Sequence, residues 1–190
     1  MKACYDNFEF EVPKGVYYPD EDTILLAETL QQLFIDDKSV LEIGCGSGLI
    51  SILLAKNNAV TAVDVNEDAV KATQENAKTN NVEIKAIKSD LFAEIGQEIF
   101  DIIIFNAPYL APDDLDKYLG KERKNFIDDN VIERFLKQLT GHLRNDGFAI
   151  LVASSLTKLN IEDKGLNHEI IASKKLPWEA LHIYKLITKK

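Results

Sequence analysis

The sequence predicts an α/β domain spanning residues 1–190, built on a mostly parallel seven-stranded sheet with helices on both faces. Three observations carry that expectation. Short Val/Ile/Leu-rich runs alternate with amphipathic stretches, as the strands of a sheet covered on both sides require. A glycine loop, Gly44-Cys45-Gly46-Ser47-Gly48, follows the first such run directly and opens into a helix. Gly44, Asp64, Asp90 and Asn106 then mark four consecutive strand ends, where open α/β sheets bind their ligands.

The elements follow in order. Residues 5–16 read as extended and irregular. Asp20–Phe34 reads as a helix, with Ile24, Leu25, Leu30 and Leu33 near helical spacing and acidic residues in its first turn. Ser39–Ile43 is a short apolar strand, and Leu49–Lys56 a helix leaving the glycine loop. Ala59–Asp64 is the second strand. Glu67–Asn80 is an amphipathic helix that buries Ala69, Val70, Ala72, Thr73 and Ala77. Val82–Ile87 and Phe100–Phe105 are the third and fourth strands. Residues 106–124, with two prolines, a glycine and many charges, read as a long functional loop. Val131–Leu143 reads as a helix, Asn145-Asp146-Gly147 as a turn and Phe148–Ala153 as the fifth strand. His168–Ala172 and Ala180–Ile187 complete the sheet.

Composition excludes several classes. A chain of 190 residues can bury a real core, and 46% hydrophobic with 28% charged residues is ordinary for a soluble protein. No apolar run approaches the length of a membrane span, and the N-terminus lacks the core of a signal peptide. Two cysteines are too few for a disulfide scaffold or a zinc site, so no metal is expected and both read as reduced thiols of a cytoplasmic protein. A net charge of −9 disfavours nucleic acid as a direct substrate. The four basic residues within Lys117–Lys124 read first as a solvated loop.

The glycine loop is Gly-x-Gly-x-Gly, not the dinucleotide pattern, because Leu49 stands where that pattern needs its third glycine. No Gly-Lys-Ser/Thr follows, so a P-loop is excluded. Glu42, just before the loop, would sit badly beside a pyrophosphate and suits a cation, such as the amino group in the methionine part of S-adenosylmethionine (SAM). Asp64 follows Glu42 by 22 residues, where a carboxylate accepts both ribose hydroxyls. Asp90 can accept from an exocyclic adenine amine, with the Leu91 backbone N–H beside the ring. Taken singly, Asp64 or Asp90 could equally be a turn or helix-cap residue.

Asn106-Ala107-Pro108-Tyr109 ends the fourth strand. An amide or aniline-like nitrogen is a poor nucleophile, because its lone pair is delocalised. Methylation requires that lone pair to be aimed in line at the sulfonium methyl. Acceptors on both N–H bonds would orient the nitrogen and stabilise its developing charge. The Asn106 side-chain oxygen and the Ala107 carbonyl can serve, with Pro108 fixing the turn. Tyr109 offers a face for stacking and for the cationic sulfur. The bland alternative is an Asn-initiated turn.

These residues resemble the HemK/PrmC family of SAM-dependent methyltransferases, which modify the glutamine of the Gly-Gly-Gln motif in class I translation release factors. The family pattern is Asn-Pro-Pro-Tyr; here Ala107 replaces the first proline and still offers its carbonyl from a looser turn. Tyr17-Tyr18-Pro19-Asp20-Glu21-Asp22-Thr23 is similar to a segment of the short archaeal and eukaryotic branch. The resemblance implies the class I SAM-dependent methyltransferase fold and protein-glutamine N5-methylation. It implies SAM contacts from Thr23, Glu42, Gly44, Gly46, Asp64, Asp90, Leu91 and Asn106. It also implies a catalytic and substrate clamp formed by Asn106, Ala107, Pro108 and Tyr109, with Leu110 on the substrate. The implied partners are a release factor and a small zinc-binding activator subunit in a heterodimer, the zinc lying in that partner. The family's Gly-Gly-x-x-Gly stretch and Asp-Arg-Phe ending are replaced here by Tyr118–Asn125 and by Ile132-Glu133-Arg134-Phe135. Two other readings stay open: an adenine-N6 or guanine-N2 nucleic-acid methyltransferase, and a non-catalytic SAM-binding partner. Lysine methylation would need a base that no residue obviously supplies.

Overall fold

The computed structural model describes residues 1–108 and 130–189. Two antiparallel strands, β1 (Lys2–Tyr5) and β2 (Phe8–Glu11), open the chain. Next come α1 (Glu21–Gln32), β3 (Ser39–Ile43), α2 (Leu49–Leu54), β4 (Ala59–Asp64) and α3 (Glu67–Thr79). The rest are β5 (Ile84–Lys88), β6 (Phe100–Asn106), α4 (Val131–Leu139), β7 (Leu143–Ser154), β8 (Leu166–Lys175) and β9 (Ala180–Thr188). The seven-stranded sheet runs β5-β4-β3-β6-β7-β9-β8. Its first five strands pair in parallel, while β9 is antiparallel to both neighbours. The chain leaves β3 for β4 on one side and later returns to β6 on the other. This reversal opens a crevice beyond the ends of β3 and β6.

Alternation along the central strands divides the core into two layers. Ile102 and Ile104 of β6 join Ile150 and Val152 of β7 beneath Leu26 and Leu30 of α1 and Ile50 and Ile52 of α2. Ile103 and Phe105 join Leu151 and Ala153 on the other face, under Phe135, Leu136 and Leu139 of α4. Every one of these side chains is at most 3% exposed, which is why the strands read as continuous apolar runs. No helix among the described residues is long and apolar enough to cross a membrane.

Three elements depart most from the sequence expectation, while α2, β5 and β8 differ from it at their ends. Residues 2–11 form a hairpin around Asp6, a left-handed residue at φ 51°. Phe8 and Phe10 point inward while Glu9 and Glu11 point out. Asn76 of α3 and Asn80, which caps its C-terminus, bind the backbone N–H and carbonyl of Glu11 and Glu9, respectively, at 2.7–3.0 Å, which moors the hairpin. The helix expected over Val131–Leu143 ends at Leu139, since Thr140-Gly141 breaks it and Leu143 already belongs to β7. The expected turn Asn145-Asp146-Gly147 lies inside β7, where the β6–β7 register shifts between Phe100 and Ile102. A Cβ on Gly147 would lie 2.4 Å from the Asp101 carbonyl, so this glycine lets the two backbones touch at an irregularity in the ladder.

Candidate active site

The glycine loop joins β3 to α2 beside that crevice. Gly44, Gly46 and Gly48 have φ of 71°, 55° and 88°. Gly48 is the most constrained, because a Cβ there would meet Thr73 side-chain and backbone atoms at 3.0–3.1 Å. The loop spends its own donors internally. The N–H groups of Gly44 and Cys45 bind the Val63 carbonyl at 2.8 and 3.0 Å, and that of Gly48 binds the Cys45 carbonyl at 2.8 Å. The N–H of Gly46 binds Asp64 Oδ2 at 3.0 Å. Helix α2 has only six residues, so the helix-terminus contribution expected from the sequence is small. The loop therefore offers a shaped wall instead of an anion cradle.

The loop borders a cavity of about 430 Å³. Thr23, Glu42, Gly44, Gly46, Asp64, Asp90, Leu91, Asn106, Ala107 and Pro108 all line it, bringing together contributions from α1 and four strand ends. Tyr109 and Leu110, and the basic run Lys117–Lys124, lie outside the described residues.

Glu42 is 4% exposed. Burial pushes its carboxyl up to about 8, and the neighbouring Asp64 charge adds to this, against the lowering effect of hydrogen bonds from Ser51. The Ser51 hydroxyl, on the first turn of α2, donates to Glu42 Oε2. A buried carboxyl held near its uncharged form is poised to ionise when a cation arrives. Asp64 accepts from Gly46 N–H on one oxygen and from Asn66 N–H, at 2.8 Å, on the other.

Asp90 is half-exposed and pairs with Arg134 of α4 at 2.6 Å. Leu91 is buried in the left-handed region at φ 51°, a strained conformation for a branched side chain. Ser89 Oγ fixes it by donating to the Leu91 carbonyl at 2.9 Å. Cys45 accepts from Thr73 Oγ1 at 3.3 Å, and burial pushes its thiol well up, as for an inert packing residue.

Asn106 ends β6 against β3 and β7. Its Nδ2 donates to Asp22 Oδ2 at 3.0 Å and to Thr23 Oγ1 at 3.4 Å. Its Oδ1 is buried and has no hydrogen-bond partner among the described residues. Ala107 is 2% exposed, and Pro108 follows it at the cavity wall.

Sequence reasoning missed Asp22 and Arg134 as cavity groups and Ser51 as the buried partner of Glu42. Asp22 and Arg134 stand in motifs quoted above without a role of their own. Ser51 carries no signal, being one polar residue in the apolar run Leu49–Leu54.

An acceptor-rich cavity at the switch point, walled by a glycine loop that turns four of its N–H groups onto its own fold, is the cofactor cavity of an α/β enzyme. The chain matches the Methyltransferase small domain over residues 8–175, and it belongs to that family. It is 40% identical over 194 residues to a Methanocaldococcus jannaschii protein provisionally named a protein N5-glutamine methyltransferase, covering 94% of each chain. It is 36% identical over 130 residues to the release factor glutamine methyltransferase of Fusobacterium nucleatum, covering 65% of this chain and 36% of that enzyme. Among solved structures, it superposes on one from an E. cuniculi Mtq2-Trm112 complex, described as responsible for methylation of the termination factor eRF1. The TM-score is 0.68 and the identity 28%, with 93% of this chain and 99% of that chain covered. The fold is thus that of class I SAM-dependent methyltransferases, as the sequence predicts.

Proposed function

We propose that this protein transfers a methyl group from SAM to the side-chain amide nitrogen of a glutamine, the one in the Gly-Gly-Gln motif of a class I release factor. The observation that carries this reading is the buried Oδ1 of Asn106, which has no partner among the described residues, on a side chain of the cavity wall. An acceptor left bare inside a fold is costly, and it signals a donor supplied by a ligand.

The residues fit SAM. Glu42 suits the α-amino group, Asp64 the ribose hydroxyls and Asp90 with Leu91 the adenine edge, while the donor-poor loop has no need of phosphate. Bound there, the cofactor supplies a methyl group on a cationic sulfur. The chain's own work is to hold the acceptor nitrogen. Asn106 Oδ1 and the Ala107 carbonyl accept its two N–H bonds, so its lone pair is steered toward the cofactor and its growing positive charge meets two oxygens. The proton leaves after transfer, so no general base is required. Tyr109 would close the clamp over the planar amide, with Leu110 against the substrate.

The kinship with glutamine methyltransferases supports the amide over a nucleobase, as does the net charge of −9. The Mtq2-Trm112 likeness supports a heterodimer with a small activator subunit, which we expect to carry its own zinc and to act in the cytoplasm. The test is methyl transfer from labelled SAM to purified release factor, with and without the Gly-Gly-Gln glutamine and with candidate activators. Label that depends on the glutamine is expected; label in RNA or DNA instead would overturn the reading.

A further inference from the structure

We infer that Asp22 is a positioning residue, which sets which end of the Asn106 amide faces the cavity. The inference rests on the reading of Asn106 as the amide acceptor. A primary amide is nearly symmetric in shape but has a donor end and an acceptor end. With its oxygen toward the cavity, Asn106 takes a proton of the target nitrogen. With its NH2 toward the cavity, it would oppose those protons or donate into the lone pair that must attack.

The neighbours of Asn106 decide between the two. Asp22 Oδ2 is an acceptor 3.0 Å from Nδ2, and turning the amide would set oxygen against oxygen. Asp22 Oδ1 is already filled by the Tyr17 hydroxyl at 3.0 Å, the Thr23 N–H at 2.6 Å and the Thr23 hydroxyl at 3.1 Å. The Thr23 hydroxyl spends its only proton on Asp22 and so presents lone pairs to Asn106, 3.4 Å away. Both groups beside Nδ2 are therefore acceptors. Asp22 is itself 4% exposed, so water does not compete for its oxygens. A relay from Tyr17 through Asp22 thus orients a side chain 84 positions further along the chain.

Asp22→Asn keeps the shape and removes the preference. We expect it to lower kcat at least about tenfold, a loss typical of a misdirected polar group. SAM affinity and Tm should move little. The reciprocal exchange Asp22→Asn/Asn106→Asp should recover much of that kcat, because a carboxylate at 106 presents an oxygen whichever way it turns. Asn106→Asp alone sets two carboxylates together and should not recover it. In the unaltered protein, one Nδ2 proton of Asn106 should resonate downfield and exchange slowly by NMR. Undiminished kcat in Asp22→Asn, an exchange variant no better than either single variant, or two equivalent fast-exchanging protons would each overturn the inference. Full activity in Asn106→Ala would instead remove the acceptor reading on which it rests.

Discussion

The proposed pairing of Glu42 with the amino group of SAM makes the affinity depend on pH. Burial holds its carboxyl near 8, so at pH 7 roughly one tenth of unliganded molecules carry the charge there. A cation bound against Glu42 draws off the proton. Binding at pH 7 then costs about 1.4 kcal/mol relative to a site already ionised, and it releases close to one proton. Kd should fall about tenfold from pH 6 to 7 and more gently as pH approaches 8. Above that, the α-amino group of the ligand, with an ordinary value of about 8, loses its own proton and affinity declines again. Titration calorimetry from pH 6 to 9, in buffers of different ionisation enthalpy, measures both the slope and the proton count. Glu42→Gln should abolish the rising limb. A flat Kd between pH 6 and 8 in the wild-type protein, or an unchanged slope in Glu42→Gln, would refute the pairing of Glu42 with the amino group.

The same carboxyl has a stability consequence in the unliganded protein. Its raised folded value stabilises the fold fully below about 4.5, and this is lost as pH rises through about 8, so Glu42→Gln should gain on wild type over that window, by on the order of 5 kcal/mol at most, in urea unfolding. Asn106→Ala should cut kcat by about a hundredfold or more while Kd for SAM changes little; parallel loss of both would contradict the clamp. Asp64→Ala should raise Kd for SAM by at least about tenfold, and it should also loosen the loop through Gly46; unchanged affinity would remove it from the ribose. Gly48→Ala should destabilise the fold by about 2 kcal/mol, read as a lower urea midpoint, because it combines a left-handed φ with contact on Thr73.

The strands around the site were legible because their physics is local. Val40 to Ile43 and Val60 to Val63 are apolar on both faces apart from Glu42 and Thr61, and punctuation follows each, so their bounds in the structure coincide with those expected. Asn106, Asp64 and Asp90 were legible as strand ends in a topology that gathers strand ends together. The hairpin was written in the alternation of Phe8 to Val12, but what holds it is a pair of asparagines some 65 and 71 positions away. The β7 irregularity was hidden because Gly147 signals a turn locally, while its actual duty is to admit the Asp101 carbonyl. Asp22 was hidden for the same reason: an acidic residue in a first helical turn already has a sufficient local explanation. Its contact with Asn106 leaves no periodic trace. The Arg134–Asp90 pair joins α4 to the end of β5 and is visible only once the sheet has brought them together.

The self-satisfied glycine loop also bears on which molecules stay out. ATP carries the same adenosine as SAM, and it would be drawn to the same adenine and ribose partners. Beyond the ribose, however, its triphosphate would meet backbone N–H groups already committed to Val63, Asp64 and Cys45, with the carboxyl of Glu42 behind them. Phosphate oxygens stripped of water there would find those four donors already spent. Four of the loop's N–H groups are thus closed to this competitor by the hydrogen bonds the loop makes to its own fold, before any ligand enters.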